Sequence, residues 1–268
     1  MTTMAKRIPA TIAMYGVLLF LTVLWLYPIG VAVYKSVSVG GWHNYAAVLD
    51  HPTFDYWSAI GNSFLMAGVS ALVIMFISSL GGYAFAKMSF RGKEVIYYAL
   101  LGCLAVPVAA LITPLFFTLN KAGLRDSYTG VIVPLIAFNV LMMLLMMRNH
   151  FDSVPDEMIE AATLDGASSW RIYRRILLPI SGPALANVGV LSFVYSWNEY
   201  LLPTLLLSSP DKFPVTQAIS LLQFDRMSQE QISQLYAGLV LMTIPSIIVY
   251  LFSQRYLQAG ITAGAVKS

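Results

Sequence analysis

The residues best placed for chemistry lie at 155–179, P-D-E-M-I-E-A-A-T-L-D-G-A-S-S-W-R-I-Y-R-R-I-L-L-P, a polar stretch between two apolar blocks. It carries Glu160, Asp165, Arg171, Arg174 and Arg175. The three histidines, His43, His51 and His150, fall in other segments, and neither H-E-x-x-H nor G-x-S-x-G occurs, so bond-breaking chemistry has no apparatus here. What the stretch offers is recognition, a fixed carboxylate beside small residues that permit close approach. The pattern predicts two short helices. Ser153 is placed to cap the first, Pro155 suits its first turn, and Asp156 and Glu157 complement its positive end. Gly166 suits the left-handed position that stops it. Ser168 is placed to cap the second, with Trp170, Tyr173 and Ile176 on one face and the arginines on the other. Ala161, Ala162 and Ala167 keep the surface slim, Glu160 can fix a register against a basic partner, and Asp165 offers at least a local cap. A charged amphipathic element of this kind is something a partner holds.

Asn198 and Glu199 form a second candidate site, inside the apolar run 179–207. Ionisable groups at such depth face a cavity or a partner by default. A buried helix–helix hydrogen bond is the alternative, as is a place for Glu199 near the outer surface.

The elements that position these residues are membrane spans. The chain has 268 residues, 58% hydrophobic and 11% charged, with a mean hydropathy of +0.71. That excludes an ordinary soluble domain. Six apolar runs, at 11–34, 62–86, 95–119, 129–147, 179–207 and 235–256, approach or exceed the roughly 20 residues that cross a bilayer. The expected class is an all-α membrane protein of six transmembrane helices. The first run is too long for a signal peptide's apolar core and reads as a retained span. With the N-terminus inside, the cytoplasmic loops hold Lys6, Arg7, Lys87, Arg91, Lys93, Arg148, Arg171, Arg174, Arg175, Arg255 and Lys267. The outer side holds only Lys35, Lys121, Arg125, Lys212 and Arg226. This bias puts both termini and the 155–179 stretch in the cytoplasm. Pro107, Pro134, Pro203 and Pro245 free backbone groups that neighbours or a cavity must satisfy.

Other features have plainer readings. The net charge of +3 implies no nucleic-acid partner. Cys103, the single cysteine, is expected in buried packing. Gly81-Gly82 with Ser78-Ser79 lets helices approach closely, and Met142, Met143, Met146 and Met147 are expected to pack. Loops 35–60 and 208–234 face outward, either as solvated connections or as docking surfaces for an extracellular protein.

Glu160-Ala161-Ala162, three residues, Gly166, nine residues, Ile176, one residue, Leu178-Pro179 resembles the EAA signature of importer-type ABC permeases. The extended form E-A-A-T-L-D-G-A, 160–167, is most similar to the carbohydrate-uptake branch. Asn62-Ser63 opens the second span as that family's core opens. Trp197-Asn198-Glu199 ahead of Pro203 is similar to the W-N-(D/E) pattern of sugar permeases. The tail I-T-A-G-A-V-K is similar to one subunit's ending, with Ala259-Gly260-Ile261 a mild departure. The resemblance implies a type I importer permease fold. It implies an N-terminal segment 1–61, a core domain 62–256 with a coupling helix at 155–167, and a tail 257–268. Glu160, Ala161, Ala162, Asp165, Gly166 and Ala167 would contact an ATPase, with Glu160 pairing, the alanines packing and Gly166 shaping the turn. Asn198, Glu199 and Asn62 would line a pathway or an interface. Implied partners are a second permease in a heterodimer, an ATPase dimer, an extracellular sugar-binding protein, the sugar and the lipid bilayer. No cofactor is expected in this chain, ATP and magnesium belonging to the ATPase. The expected location is the inner membrane of a bacterial or archaeal cell.

Two rival functions are weaker. An ion-coupled secondary transporter places charges near the midplane, where Glu199 is the sole candidate, and no inverted repeat is evident. An intramembrane enzyme lacks its motifs. With no G-x-x-x-x-G-K-[ST] phosphate loop, the chain is not expected to hydrolyse ATP.

Overall fold

The computed structural model describes residues 7–224 and 226–265. Lys6 and Lys267, used above for orientation, and the last three tail residues lie outside them. Among the described residues the elements are helical. In chain order they are α1 (Arg7–Ser38), α2 (His43–Leu49), α3 (Tyr56–Lys87), α4 (Lys93–Leu104), α5 (Val108–Lys121), α6 (Tyr128–Asp152), α7 (Asp156–Leu164) and α8 (Ser169–Ile172). A π turn (Tyr173–Leu177), α9 (Leu178–Ile180), α10 (Gly182–Trp197), α11 (Leu201–Leu206), a 3₁₀ turn (Pro210–Lys212), α12 (Val215–Ser220) and α13 (Gln229–Ala265) follow.

Among the described residues, four stretches are each long and apolar enough to cross a bilayer: Ala13–Ser38, Tyr56–Lys87, Tyr128–Asp152 and Gln229–Gln254. Counting each of two bent pairs as one span brings the number up to the six that the sequence predicts. The bends correct two expectations of simple spans. The third run breaks between α4 and α5, whose axes differ by 98°. Pro107 lacks an N–H, and its ring pushes Val106 away from helical torsions; Pro107 itself sits extended at φ −63°, ψ 126°. The fifth run bends by 78° at Ser181, ahead of α10. It then stops at Trp197, resuming as the short α11.

The chain separates into two compact units, 1–52 with 219–243 and 53–218 with 244–268. In the first, every described side chain from 13 to 30 is exposed, as befits a helix apolar on all sides and solvated by lipid. Ser36 and Asn44 are buried. The Asn44 amide donates to the carbonyls of Ser36 and Val39, at 2.8 and 2.6 Å, and so ties α2 to the end of α1. Ile219 and Leu222 are buried and lie against Gly238.

The second unit is built on α3 against α6, with α10 laid on α3. Ile74, Met143, Met147, Phe151, Leu177 and Val188 are buried in its core. Gly82 makes the approach of α3 to α6 possible, since a Cβ there would lie 2.7 Å from Met147 Cβ and 2.9 Å from the Arg148 nitrogen. Of the methionine run, Met143 and Met147 pack inside while Met142 faces outward. One further expectation fails and one is narrowed. Cys103 is exposed rather than buried, because α4 buries none of its residues in this chain. Loop 208–234 is not a solvated connection throughout: Phe213, Val215, Ala218, Ile219 and Leu222 are buried. In the second unit the Val215 N–H donates to Ser63 Oγ, giving that backbone group a partner in α3.

Candidate functional site

The polar stretch at 155–179 folds as two short helices around a turn. Helix α7 opens after Pro155, an extended residue at φ −57°, ψ 135°, with Asp156 and Glu157 in its first turn. Ser153 does not cap it; its hydroxyl turns back and donates to the His150 carbonyl at 2.7 Å. The connection is too short to present that oxygen to the α7 N–H groups once Pro155 has taken the capping position. Gly166 ends the helix with φ +74°, a torsion that costs a residue with a Cβ roughly 1–2 kcal/mol. The Gly166 and Ala167 N–H groups donate to the Thr163 and Ala162 carbonyls. Ser168 then caps α8, accepting from the Arg171 N–H at 3.4 Å.

Each expected site residue of this stretch has a definite place. Ala162 is buried and Ala167 half-buried, both against the core of the second unit. Glu160, Ala161, Asp165 and Gly166 are exposed. No hydrogen bond or ion pair engages the Glu160 carboxylate among the described residues. Leu164 is 89% exposed on the same short helix, with Met158 also exposed. A helix this short cannot hold itself in water. Here it is held by one buried alanine face, and it offers a bare carboxylate and two bare apolar side chains outward. Beneath it, Asp165, Arg171, Arg175 and Ile176 line an open recess of about 300 Å³ with Ala162 and Ala167.

The expected facial division of the following segment holds only in part. Tyr173 is buried, but Trp170 is exposed and Ile176 half-buried, while Ile172 and Leu177 go inward. For Ile176 and Leu177 the reason is the π turn at Tyr173–Leu177. Its wider winding shifts the phase of the helix, and the 3.6-residue period no longer applies across it.

At the opposite end of α3 and α6, Asn62 binds three elements. Its amide donates to the carbonyls of Asp211 and Phe213, at 2.8 and 3.1 Å, and its oxygen accepts the Tyr128 hydroxyl at 2.8 Å. Glu199 does not sit unpartnered within a span. Its carboxylate accepts the N–H groups of Leu201 and Leu202, at 2.9 and 3.1 Å, across the gap where α10 has ended. It is therefore the N-terminal cap of α11 in all but position. Asn198 is exposed and donates to the Val194 carbonyl at 2.8 Å. The structure thus brings Glu199 and Asn62 into separate intramolecular networks and leaves the remaining functions of Asn198 on the chain's surface.

Sequence reasoning missed Asp126. It takes a left-handed φ of +52° and joins the α5–α6 connection to the segment after α11. Its carboxylate accepts the Ser209 hydroxyl and the N–H groups of Ser208 and Ser209, and pairs with the Lys212 ammonium at 3.1 Å. The Ser209 hydroxyl above all, then the two N–H groups, hold its carboxyl well below the usual carboxylate range. The D-S dipeptide ahead of Tyr128 is an ordinary turn signal, and nothing in it points 82 residues ahead in the chain.

With this geometry established, relatives can be placed. The model of the family described as binding-protein-dependent transport system inner membrane component matches residues 77–263. The chain belongs to that family. The match takes in α7 and its turn and runs from the end of α3 to the end of α13. The arabinooligosaccharides transport system permease protein AraQ of Halalkalibacterium halodurans is 34% identical over 79% of this chain and 75% of its own. The trehalose/maltose transport system permease protein MalG of Thermococcus litoralis is 32% identical over 84% of this chain and 80% of its own. Among solved structures, a bacterial ABC transporter involved in the import of the acidic polysaccharide alginate contains a chain that superposes with TM-score 0.77. It is 24% identical, and the superposition covers 96% of this chain and 99% of that one. The two share the importer permease fold. This permease is thus a multi-pass inner membrane component of a transport system.

Proposed function

We propose that this permease is the membrane half-channel of an ATP-driven sugar importer and that α7 is its contact with the motor. Both termini and α7 lie in the cytoplasm in this reading, and a second permease completes the path. A pair of ATPase subunits supplies ATP and magnesium, this chain having no phosphate loop of its own. An extracellular binding protein delivers the sugar. The substrate class follows the printed names of relatives at 30% identity or better, which transport arabinooligosaccharides and trehalose or maltose.

The observation that carries the proposal is the exposure pattern of α7. Ala162 seats it on the bundle, while Glu160, Met158 and Leu164 project from it with no partner for the carboxylate among the described residues. Apolar side chains beside an unpaired charge on a short, firmly based helix make a peg for a socket that supplies a basic group. Glu160→Lys in the assembled transporter tests it. Reversing one charge of a desolvated pair costs about 2–5 kcal/mol, more than a tenfold loss of ATPase association or of uptake. Membrane insertion should be unchanged. Wild-type uptake by this variant would remove the coupling role from Glu160.

A further inference from the structure

On one face of the last turns of α3, Ser79, Tyr83 and Lys87 follow each other at four-residue spacing, each one turn above the last. All three reach the coupling stretch. The hydroxyls of Ser79 and Tyr173 share a hydrogen bond of 2.5 Å. The Tyr83 hydroxyl donates to the Ser169 carbonyl at 3.1 Å. The Lys87 ammonium donates to the Val154 carbonyl at 2.7 Å and to Asp156 Oδ1 at 2.5 Å. The Lys87 side chain is only 6% exposed although it ends a helix, so it is committed to this contact. Rings reinforce the row: Tyr83 lies 5.4 Å from Tyr173 and 6.3 Å from Phe151, centroid to centroid. The segment before α7 and the segment after it are therefore both fastened to α3. The route from α7 to α10 is different. It passes through a π turn and a 78° bend at Ser181, where the polar tie between α6 and the bend is His150 Nε2 to Ser181 Oγ at 3.0 Å.

We propose that Ser79, Tyr83 and Lys87 are positioning residues that lock the coupling stretch to α3, so that a push on α7 moves α3 and α6 with it as one body while the bend at Ser181 absorbs the difference at α10. Lys87 is the principal strut, because it holds the first turn of α7 directly. This rests on α7 being the motor contact, and it adds which span receives the stroke.

The test uses the assembled transporter in proteoliposomes, with Cys103→Ser to remove the one native thiol. Lys87→Cys with Asp156→Cys removes the strut, and a short bifunctional thiol reagent then replaces it covalently. Before crosslinking, the ratio of sugar carried to ATP hydrolysed should fall at least severalfold while ATPase activity persists. After crosslinking the ratio should recover, and each single-cysteine variant should be unaffected by the reagent. Lys87→Arg, which keeps the donors, should retain the ratio, as a merely space-filling role would not require. A crosslink that arrests transport would show that α3 and α7 must separate during the cycle and would overturn the proposal. A normal ratio in the uncrosslinked double variant would overturn it too. Failure of the coupling reading itself shows up separately, as normal uptake in Glu160→Lys.

Discussion

Alanine in place of Gly82 should destabilise this permease more than alanine at any other glycine of α3. A Cβ at that site would lie 2.7 Å from Met147 Cβ and 2.9 Å from both the Met147 carbonyl carbon and the Arg148 nitrogen. Two of those three atoms are backbone, so no rotamer change relieves the contact, and α3 must move bodily from α6. Forcing an extra methyl into a packed interior costs about 1–3 kcal/mol, against about 1 kcal/mol gained from the better helix propensity of alanine. The net loss is about 0–2 kcal/mol, which at its midpoint is roughly a fivefold change in the folding equilibrium. Two companions calibrate it. Gly81→Ala meets the Leu144 side chain, Cδ1 at 2.6 Å and Cγ at 3.3 Å, a movable group rather than backbone, and should come out near neutral. Gly61→Ala meets nothing within 4 Å among the described residues and should be neutral or slightly stabilising. Unfolding of the three purified variants by SDS titration in mixed micelles gives the order directly. If Gly82→Ala proves as stable as Gly61→Ala, then α3 and α6 do not make the close approach described, and the account of the core is wrong.

Three further outcomes are expected. Glu199→Gln keeps an acceptor for the Leu201 and Leu202 N–H groups and should transport nearly normally, while Glu199→Ala should cost about 0.5–2 kcal/mol of stability as lost helix caps do; loss of transport in the glutamine variant would show that the charge itself serves the pathway. Gly166→Val forces a branched residue to φ +74° and should weaken ATPase association in a pull-down without preventing insertion; full association would show that the turn tolerates another torsion. Asp126 has its carboxyl depressed in the fold, so its contribution to stability is fully present above the ordinary aspartate range near 4 and is lost as pH falls toward the depressed value. Thermal unfolding measured from pH 7 downward should therefore show an acid-sensitive component that Asp126→Asn lacks. Identical pH profiles for the two proteins would rule out that linkage.

What could be read from the chain alone tracks the range of the interaction. Gly166 and Ser168 announce themselves because a positive φ and a helix cap are local demands on residue type. Gly81-Gly82 is legible for a similar reason, small residues in an apolar run having few uses other than close packing. Lys87 was visible only as one positive charge in a count of loop charges. Its actual place, buried against Val154 and Asp156, depends on a contact 67 residues away. The capping contact of Glu199 was not legible because the break in the apolar run beside it is not written in composition. The π turn was hidden for a geometric reason: its extra residue leaves composition unchanged and merely rotates Leu177 inward in place of Ile176. Pro107 signalled a disturbance, but nothing in a proline states whether the outcome is a slight kink or the observed 98° change of direction.

The lipid-solvated stretch of α1 has a consequence for how the sequence can change over time. Residues 13–30 have no side chain buried by the rest of the polypeptide, so no jigsaw fit within this chain restrains their identity. Any oily residue serves there about as well as another, as far as this chain's own folding is concerned. Substitutions should accumulate freely at those positions as long as their average greasiness survives, while Gly82 of α3 stays frozen.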